Sequence, residues 1–217
     1  MPDGNRLAVA GKTRDRILSA SLDLFNQEGV AGVSTHRIAA ELGISPGNLH
    51  YHFRTKELIV TGLFRRFEDQ LAPCIDAHAS VNALDDLWLS LHLTFEVIDK
   101  YRFIFREIDQ LLNDYPALER RARALTGRNL IAARSLCAGL ADAGAMRATP
   151  EDVEMLALQI VFATTCWFSF VRVTPASGSA AFGDTAFAAY YTLTLLSPYV
   201  VDESRDYLNY LRAKYLK

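Results

Sequence analysis

Residues 44–53 read ISPGNLHYHF, a proline and a glycine side by side that run straight into a histidine-tyrosine-histidine triplet. Ser45 is a favourable N-cap, and Pro46 suits the first helical position, where its missing N–H would be unpaired anyway. The stretch therefore starts a helix, and Gly47 leaves its backbone bare. Leu49 and Phe53 stand four residues apart and share a face, which must be the buried one. Asn48, His50, Tyr51 and His52 occupy the rest of the circumference, so this short helix points hydrogen-bonding side chains outward.

Working toward the N-terminus, Gly43 lets the chain turn ahead of Ile44, and Thr35 or Ser34 caps another short helix with Ile38, Ala39 and Leu42 inward. A helix is predicted before it from about Lys12 to Gln27, with Ile17, Leu18, Ser21, Leu24 and Phe25 on one face and Gly29 as its left-handed cap. Residues 1–11 are expected to form a flexible arm, and residues 12–55 a three-helix domain. Beyond it Thr55 is a further cap, with Glu57 and Leu58 in the first turn. Long helices follow near 56–78, 83–99, 101–114, 117–143, 150–173, 184–200 and 203–215, with breaks at Pro73, Pro116, Ala143-Gly144 and Pro150. TPASGSAAFGD, residues 174–184, reads as a linker. No run alternates apolar and polar residues with β-branched enrichment, so the fold class is all-α.

The chain has 217 residues and is 50% hydrophobic, enough for one large core or two small ones and too apolar for disorder. Its charge changes sign along its length. Up to Arg66 there are nine Lys and Arg against six Asp and Glu, and afterwards fourteen against nineteen. A small positive domain on an acidic body suits a nucleic-acid reader. Cys74, Cys137 and Cys166 are widely spaced in apolar surroundings, which fits buried thiols in a reducing cytosol and implies neither disulfide nor zinc. His50 and His52, two apart on a helix, point different ways and make no metal site. The start MPDGNRLAVAGKTR lacks the ~7–15-residue apolar stretch of a signal peptide. The apolar runs IVFATTCWFSFV and AAYYTLTLLSPYVV fall short of the ~18 residues that span a bilayer, so a cytoplasmic location without membrane contact is expected. No H-E-x-x-H, P-loop or G-x-S-x-G is present, and Asp85-Asp86 most simply start a helix where its dipole favours acid. An enzyme, a metal and a cofactor are not expected.

Short helices joined by a glycine turn, the last capped and polar, make a helix-turn-helix. Ile17, Ala20, Leu24, Phe25 and Gly29, followed by STHRIAAELGISPGNLHYHFRTKEL, resemble the DNA-binding domain of the tetracycline-repressor (TetR) family of bacterial transcription factors over about a fifth of the chain. The family usually carries aromatic residues where this chain has His50 and His52. The resemblance implies phosphate contacts for Thr35, Tyr51, His52 and Lys56, a base or phosphate contact for Arg37, and entry of Pro46, Gly47 and Asn48 into the major groove beside Ser45. Asn can bond adenine bidentately and Arg guanine, each worth ~1–3 kcal/mol of discrimination. Pro46 offers a thymine methyl only apolar contact. Ser45, Thr35 and Thr55 could equally be caps alone, Arg37 and Lys56 solvated charges, and His50 packing beneath the helix.

From residue 56 onward no motif points to chemistry. The resemblance implies a helical effector-binding and dimerising body over residues 56–217. Trp88, Leu91, Phe95, Phe105, Tyr115, Cys166 and Phe170, with His92 and Asp109 as polar members, are the candidate pocket residues, although such stripes also make ordinary core. The last two long helices are the candidate dimer interface, and AFAAYYTLTLLSPYVV is apolar on too many sides for one core face. The expectation is a homodimer on a roughly palindromic operator, most simply a repressor released by a small effector. The competing readings are a constitutive regulator, with a protein partner or no ligand, and a helical lipid carrier or enzyme.

Overall fold

Helix α1 (Asp3–Glu28) lays Ile17, Leu18, Ser21, Leu24 and Phe25 along one buried stripe, as the 3.6-residue repeat of those positions requires. The computed structural model describes residues 3–78, 83–174 and 185–216. In it α1 starts at Asp3 rather than Lys12, so the segment expected as a flexible arm is mostly helical backbone. Leu7, Ala8 and Ala10 are strong helix formers, and their propensity favours extending the helix. Gly29, at φ +79°, ends it.

Ser34, of the two candidates, caps α2 (Thr35–Glu41), its Oγ accepting from the N–H of Arg37 at 3.1 Å. Gly43, at φ +64°, carries the turn into α3 (Pro46–His52), which Ser45 caps by accepting from the N–H of Asn48 at 3.2 Å. Leu49 and Phe53 are buried against α1, and Arg14 lies over the Phe53 ring at 4.7 Å. Thr55 caps α4 (Lys56–His78) through the N–H of Leu58. Pro73, expected as a break, sits inside α4. The residue is exposed, as is Asp69, whose carbonyl loses its partner, so the missing bond falls on the wet side of the helix.

The body continues with α5 (Leu84–Lys100), α6 (Arg102–Arg106), α7 (Ile108–Asp114), α8 (Pro116–Asp142), α9 (Pro150–Val173), α10 (Thr185–Leu196) and α11 (Asp202–Ala213), closed by a 3-10 turn at Lys214–Leu216. Two helices stand where one was expected over 101–114, because Glu107 leaves helical geometry and turns its carboxylate to the N–H of Val30. α10 stops at Leu196 rather than 200. Pro198 has no N–H to continue it, and Tyr199 to Val201 instead pair with the α8–α9 turn, Arg147 N to Tyr199 O at 2.7 Å and Val201 N to Ala145 O at 3.2 Å. The expected linker lies, past Thr174, outside the described residues.

α4 is the central member, packed on α1, α5 and α8, while α8 pairs with α9. Phe67 on α4 meets Tyr101 and Phe105 with ring centroids 5.6 and 5.5 Å apart. Each such buried ring contributes about 1.5–3 kcal/mol. α9 is long and apolar enough, by length and composition, to cross a membrane, contrary to the count of apolar runs. In this fold it packs against α6, α8 and α10.

The two left-handed glycines make separable contributions. A Cβ at Gly43 meets nothing within 4 Å, whereas at Gly29 it would lie 2.8 Å from Oε1 of Glu107. Gly43→Ala should cost only the backbone strain, about 1–2 kcal/mol. Gly29→Ala should cost that plus displacement of the Glu107 carboxylate, and urea unfolding of the two variants should rank them in that order.

Candidate functional site

The outward face of α3 is built as its spacing requires. Pro46, Gly47, Asn48, His50 and Tyr51 are exposed, and His52 is half-buried with its ring edge-on to Tyr51 at 5.2 Å. His50 therefore faces solvent and does not pack beneath the helix, because Leu49 and Phe53 fill that space. Thr35 is half-buried at the start of α2. Nothing crowds Gly47, whose added Cβ would come no nearer than 4.0 Å to Ser45 Oγ. Two expected contacts are otherwise engaged. Arg37 is held between Glu41 at 2.7 Å and Glu28 at 3.0 Å, and the Glu41 hydrogen bond raises its pKa further. Lys56 turns inward and donates to the carbonyls of Val30 and Val33 at 2.8 and 3.2 Å. Arg54 is exposed in the loop between α3 and α4.

The three N-terminal helices are joined to the body by a polar seam that no sequence motif marked. Asn26, at the end of α1, donates from Nδ2 to the carbonyl of Lys100 at 2.9 Å and accepts at Oδ1 from the N–H of Phe103 at 3.0 Å. Arg106 donates to the Asn26 carbonyl at 2.8 Å, and Glu107 Oε2 accepts from Val30 N–H at 3.0 Å. α6 is thereby tied to α1. On its other side Ser169 and Arg172 of α9 donate to the carbonyls of Phe105 and Arg106, each at 3.1 Å.

Between α4, α5, α6, α8 and α9 lies a buried cavity of about 40 Å³. Of the expected pocket residues only Leu91 and Phe105 line it. The rest divide among other surfaces, because aromatic stripes on neighbouring helices face different sides of the bundle. Cys166 and Phe170 line an open groove of about 460 Å³ along α9 and α10, with Phe162, Trp167 and Tyr191. His92 and Phe95 border a shallow cleft with Glu96, Asp99 and Tyr215, and Trp88 stacks on His92 at 5.3 Å. Asp109 is on a surface cleft beside Arg106 and Arg172. Tyr115 lies away from the cavity, where burial and then Asp114, Glu57 and Glu107 push its phenol up. The cavity's polar members, His78, Thr94, Asn129, Thr164 and Thr165, went unread, though the Thr-Thr pair inside IVFATTCWFSFV was the available signal. His78 is 8% exposed, and neither ring nitrogen has a hydrogen-bond partner among the described residues.

Comparison with known proteins decides the family. A model described as bacterial regulatory proteins of the tetR family matches residues 17–63, and one described as a bacterial transcriptional repressor matches residues 66–208. The chain belongs to the TetR family. It is a helix-turn-helix transcriptional regulator, a role without enzymatic chemistry. The crystal structure of a TetR-family regulator from Marinobacter aquaeolei VT8 is 36% identical, with a TM-score of 0.83 over 94% of this chain and 98% of that one. An HTH-type transcriptional regulator in the dhlA 5′ region of Xanthobacter autotrophicus is 22% identical over 68% of this chain and 73% of its own. This chain spans half or less of the next curated relatives it matches. The fold alone is shared with a transcriptional regulator from Saccharomonospora viridis crystallised in complex with choline, 18% identical, TM-score 0.71, covering 88% of this chain and 99% of that one.

In this TetR-family body burial pushes the His78 imidazole down from 6.5 to about 4. The unfolded chain takes up that proton near its ordinary pKa and the folded chain refuses it. Stability is therefore complete above pH 6.5 and falls as the pH drops toward 4, by about 2–3 kcal/mol at most from this group. Unfolding free energies at pH 7 and 4.5 should differ less in His78→Phe than in the parent, and an unchanged difference would remove the assignment.

Proposed function

We propose that this TetR-family regulator is a cytoplasmic homodimeric repressor that holds a roughly palindromic operator and releases it when a small, largely apolar molecule enters its body. The observation that carries the reading is a polar recognition helix on a body whose α9–α10 face is apolar and open. Phe162 and Phe170 are 67% and 56% exposed there, beside Tyr191 and Leu158. A face of that kind invites a second copy, and two-fold pairing would present two α3 helices to major grooves about 34–36 Å apart.

In this reading Asn48 reads a base edge, Pro46 meets a thymine methyl, and Gly47 lets the backbone come close. Thr35, Tyr51 and His52 hold phosphates. Arg54 supplies the phosphate charge in place of Lys56, whose donors serve the α1–α2 turn, and Arg37 braces α2 against α1. Ser45 acts as a cap. The cavity, with a His78 that has no partner among the described residues, supports an effector-responsive body over a constitutive one, as does the choline complex of a protein with the same fold. Release runs through α6. An effector that displaces Phe105 moves Arg106 and Glu107, and with them the end of α1. A few kcal/mol of differential affinity between the two arrangements is enough.

Selection from random duplexes at two salt concentrations, followed by sedimentation of the retained complex, tests the reading. A palindromic consensus bound by two chains with a steep salt slope is expected; one chain per duplex, or no consensus, refutes it. Asn48→Ala should lose about tenfold in affinity for the consensus. Gly47→Ala separates function from fold, since a helical Gly→Ala change with open space around it should raise stability by up to about 1 kcal/mol while weakening the operator complex. In Asn26→Ala an effector should still bind the body but release the operator less; full release in that variant would exclude the seam as the coupling element.

A further inference from the structure

We infer that the buried cavity takes an uncharged amphiphile, an apolar molecule with one head group that both donates and accepts a hydrogen bond, such as a hydroxyl or an amide, and that His78 reads that head. The inference rests on the effector-responsive reading and names the chemical class of the effector.

Three observations converge on it. The first is the wall. Leu71, Leu91, Ile98, Phe105, Ile160 and Val161 supply its apolar surface, and none of the described residues that line it is charged. An ion entering there would lose its hydration with no counter-charge to replace it. A carboxylate or a quaternary amine is thus a poor fit.

The second is the polarity of the polar groups. Thr94 gives its hydroxyl proton to the carbonyl of Ser90 at 2.9 Å, and Thr164 gives its proton to that of Ile160 at 3.0 Å. Each therefore has only lone pairs left for the cavity. His78, 8% exposed and without a partner at either nitrogen among the described residues, is the most deeply buried of the groups left to donate, ahead of the half-buried Asn129 and Thr165. Burial keeps its imidazole neutral, so one nitrogen carries a proton and the other a lone pair. A head that accepts from His78 and donates to a threonine oxygen satisfies the set. A hydroxyl does both, and an amide does so with its carbonyl oxygen and its N–H, whereas a carboxylate would set its lone pairs against those of the threonines.

The third is size. About 40 Å³ holds roughly one to three water molecules, so a larger guest enters only by moving a wall. Phe105 is the wall on the shortest support. It sits on the five-residue α6, between the non-helical junctions at Tyr101 and Glu107. Occupancy is thereby linked to the same helix that holds Asn26.

The test is ligand-observed NMR titration of the full chain with four matched probes: benzyl alcohol, toluene, benzoate and benzylammonium. Benzyl alcohol should bind about three- to tenfold tighter than toluene and at least tenfold tighter than either ion. His78→Leu should make alcohol and toluene equal, and His78→Gln, which keeps a donor and an acceptor, should preserve the preference. An ion binding as tightly as the alcohol, an undiminished preference in His78→Leu, loss of the preference in His78→Gln, or no binding by any probe overturns the inference. Operator release followed in the same samples separates the two readings. Alcohol binding without release leaves the cavity assignment standing and counts against the release mechanism; ion binding with release does the reverse.

Discussion

The backbone between α1 and α2 must reverse within residues 29–34, and it satisfies only part of its own polar groups while doing so. The N–H of Val30 is met by Glu107, seventy-seven residues away, and the carbonyls of Val30 and Val33 by the ammonium of Lys56. Leaving such a group unpaired costs about 1–3 kcal/mol, and a bond to a charged partner contributes about 1.5–3. The placement of α2, and through the Gly43 turn of α3, therefore depends on side chains from the start of α4 and from the α6–α7 junction. The reading head does not set its own orientation. A helix-turn-helix whose supporting turn is completed by the body is already mechanically coupled to it.

That dependence explains the unusual shortness of α6. Its two ends are non-helical, at Tyr101 and Glu107, and its carbonyls are taken by Ser169 and Arg172 of α9 on one side. On the other, Asn26 takes the N–H of Phe103, while the Phe25 and Phe103 rings meet at 5.5 Å. A five-residue element with few hydrogen bonds of its own is positioned by its neighbours, and so reports on both. The long helices α8 and α9 lack this property because their own ladders and mutual packing hold them.

The body presents apolar surface in two forms. The groove along α9 and α10 is wide, open and walled by aromatic rings, while the cavity is small, narrower and dotted with hydroxyls, an amide and an imidazole. Apolar surface that stays open demands a broad apolar partner. Polar groups set in an apolar space demand a partner that can bond them, since an unpaired buried polar group costs more than an exposed one. In the proposed reading the groove takes a second copy of the chain and the cavity a small molecule, by the same physics.

Much of this was legible in the sequence, because it depends on local rules. Ser45 before Pro46, glycines at 29 and 43, and Leu49 four residues from Phe53 set the caps, the turns and the buried face of the recognition helix. The all-helical class followed from periodicity. What remained illegible depends on partners distant in the chain. Arg37 and Lys56 read as DNA contacts or else solvated charges, and their capture by Glu28 and Glu41 and by two carbonyls exists only once α1, α2 and α4 have packed. The single pocket expected from Trp88, His92, Phe95, Phe105 and Phe170 divided among separate surfaces, since a stripe shows that a helix has an apolar face and not which neighbour covers it. His78 carries no local mark at all. The sequence alone determined the helices and the outward chemistry of α3, where the interacting atoms lie within a few residues; the tertiary structure decided the seam, the cavity and the burial of His78, because those depend on which distant groups desolvate and pair with one another.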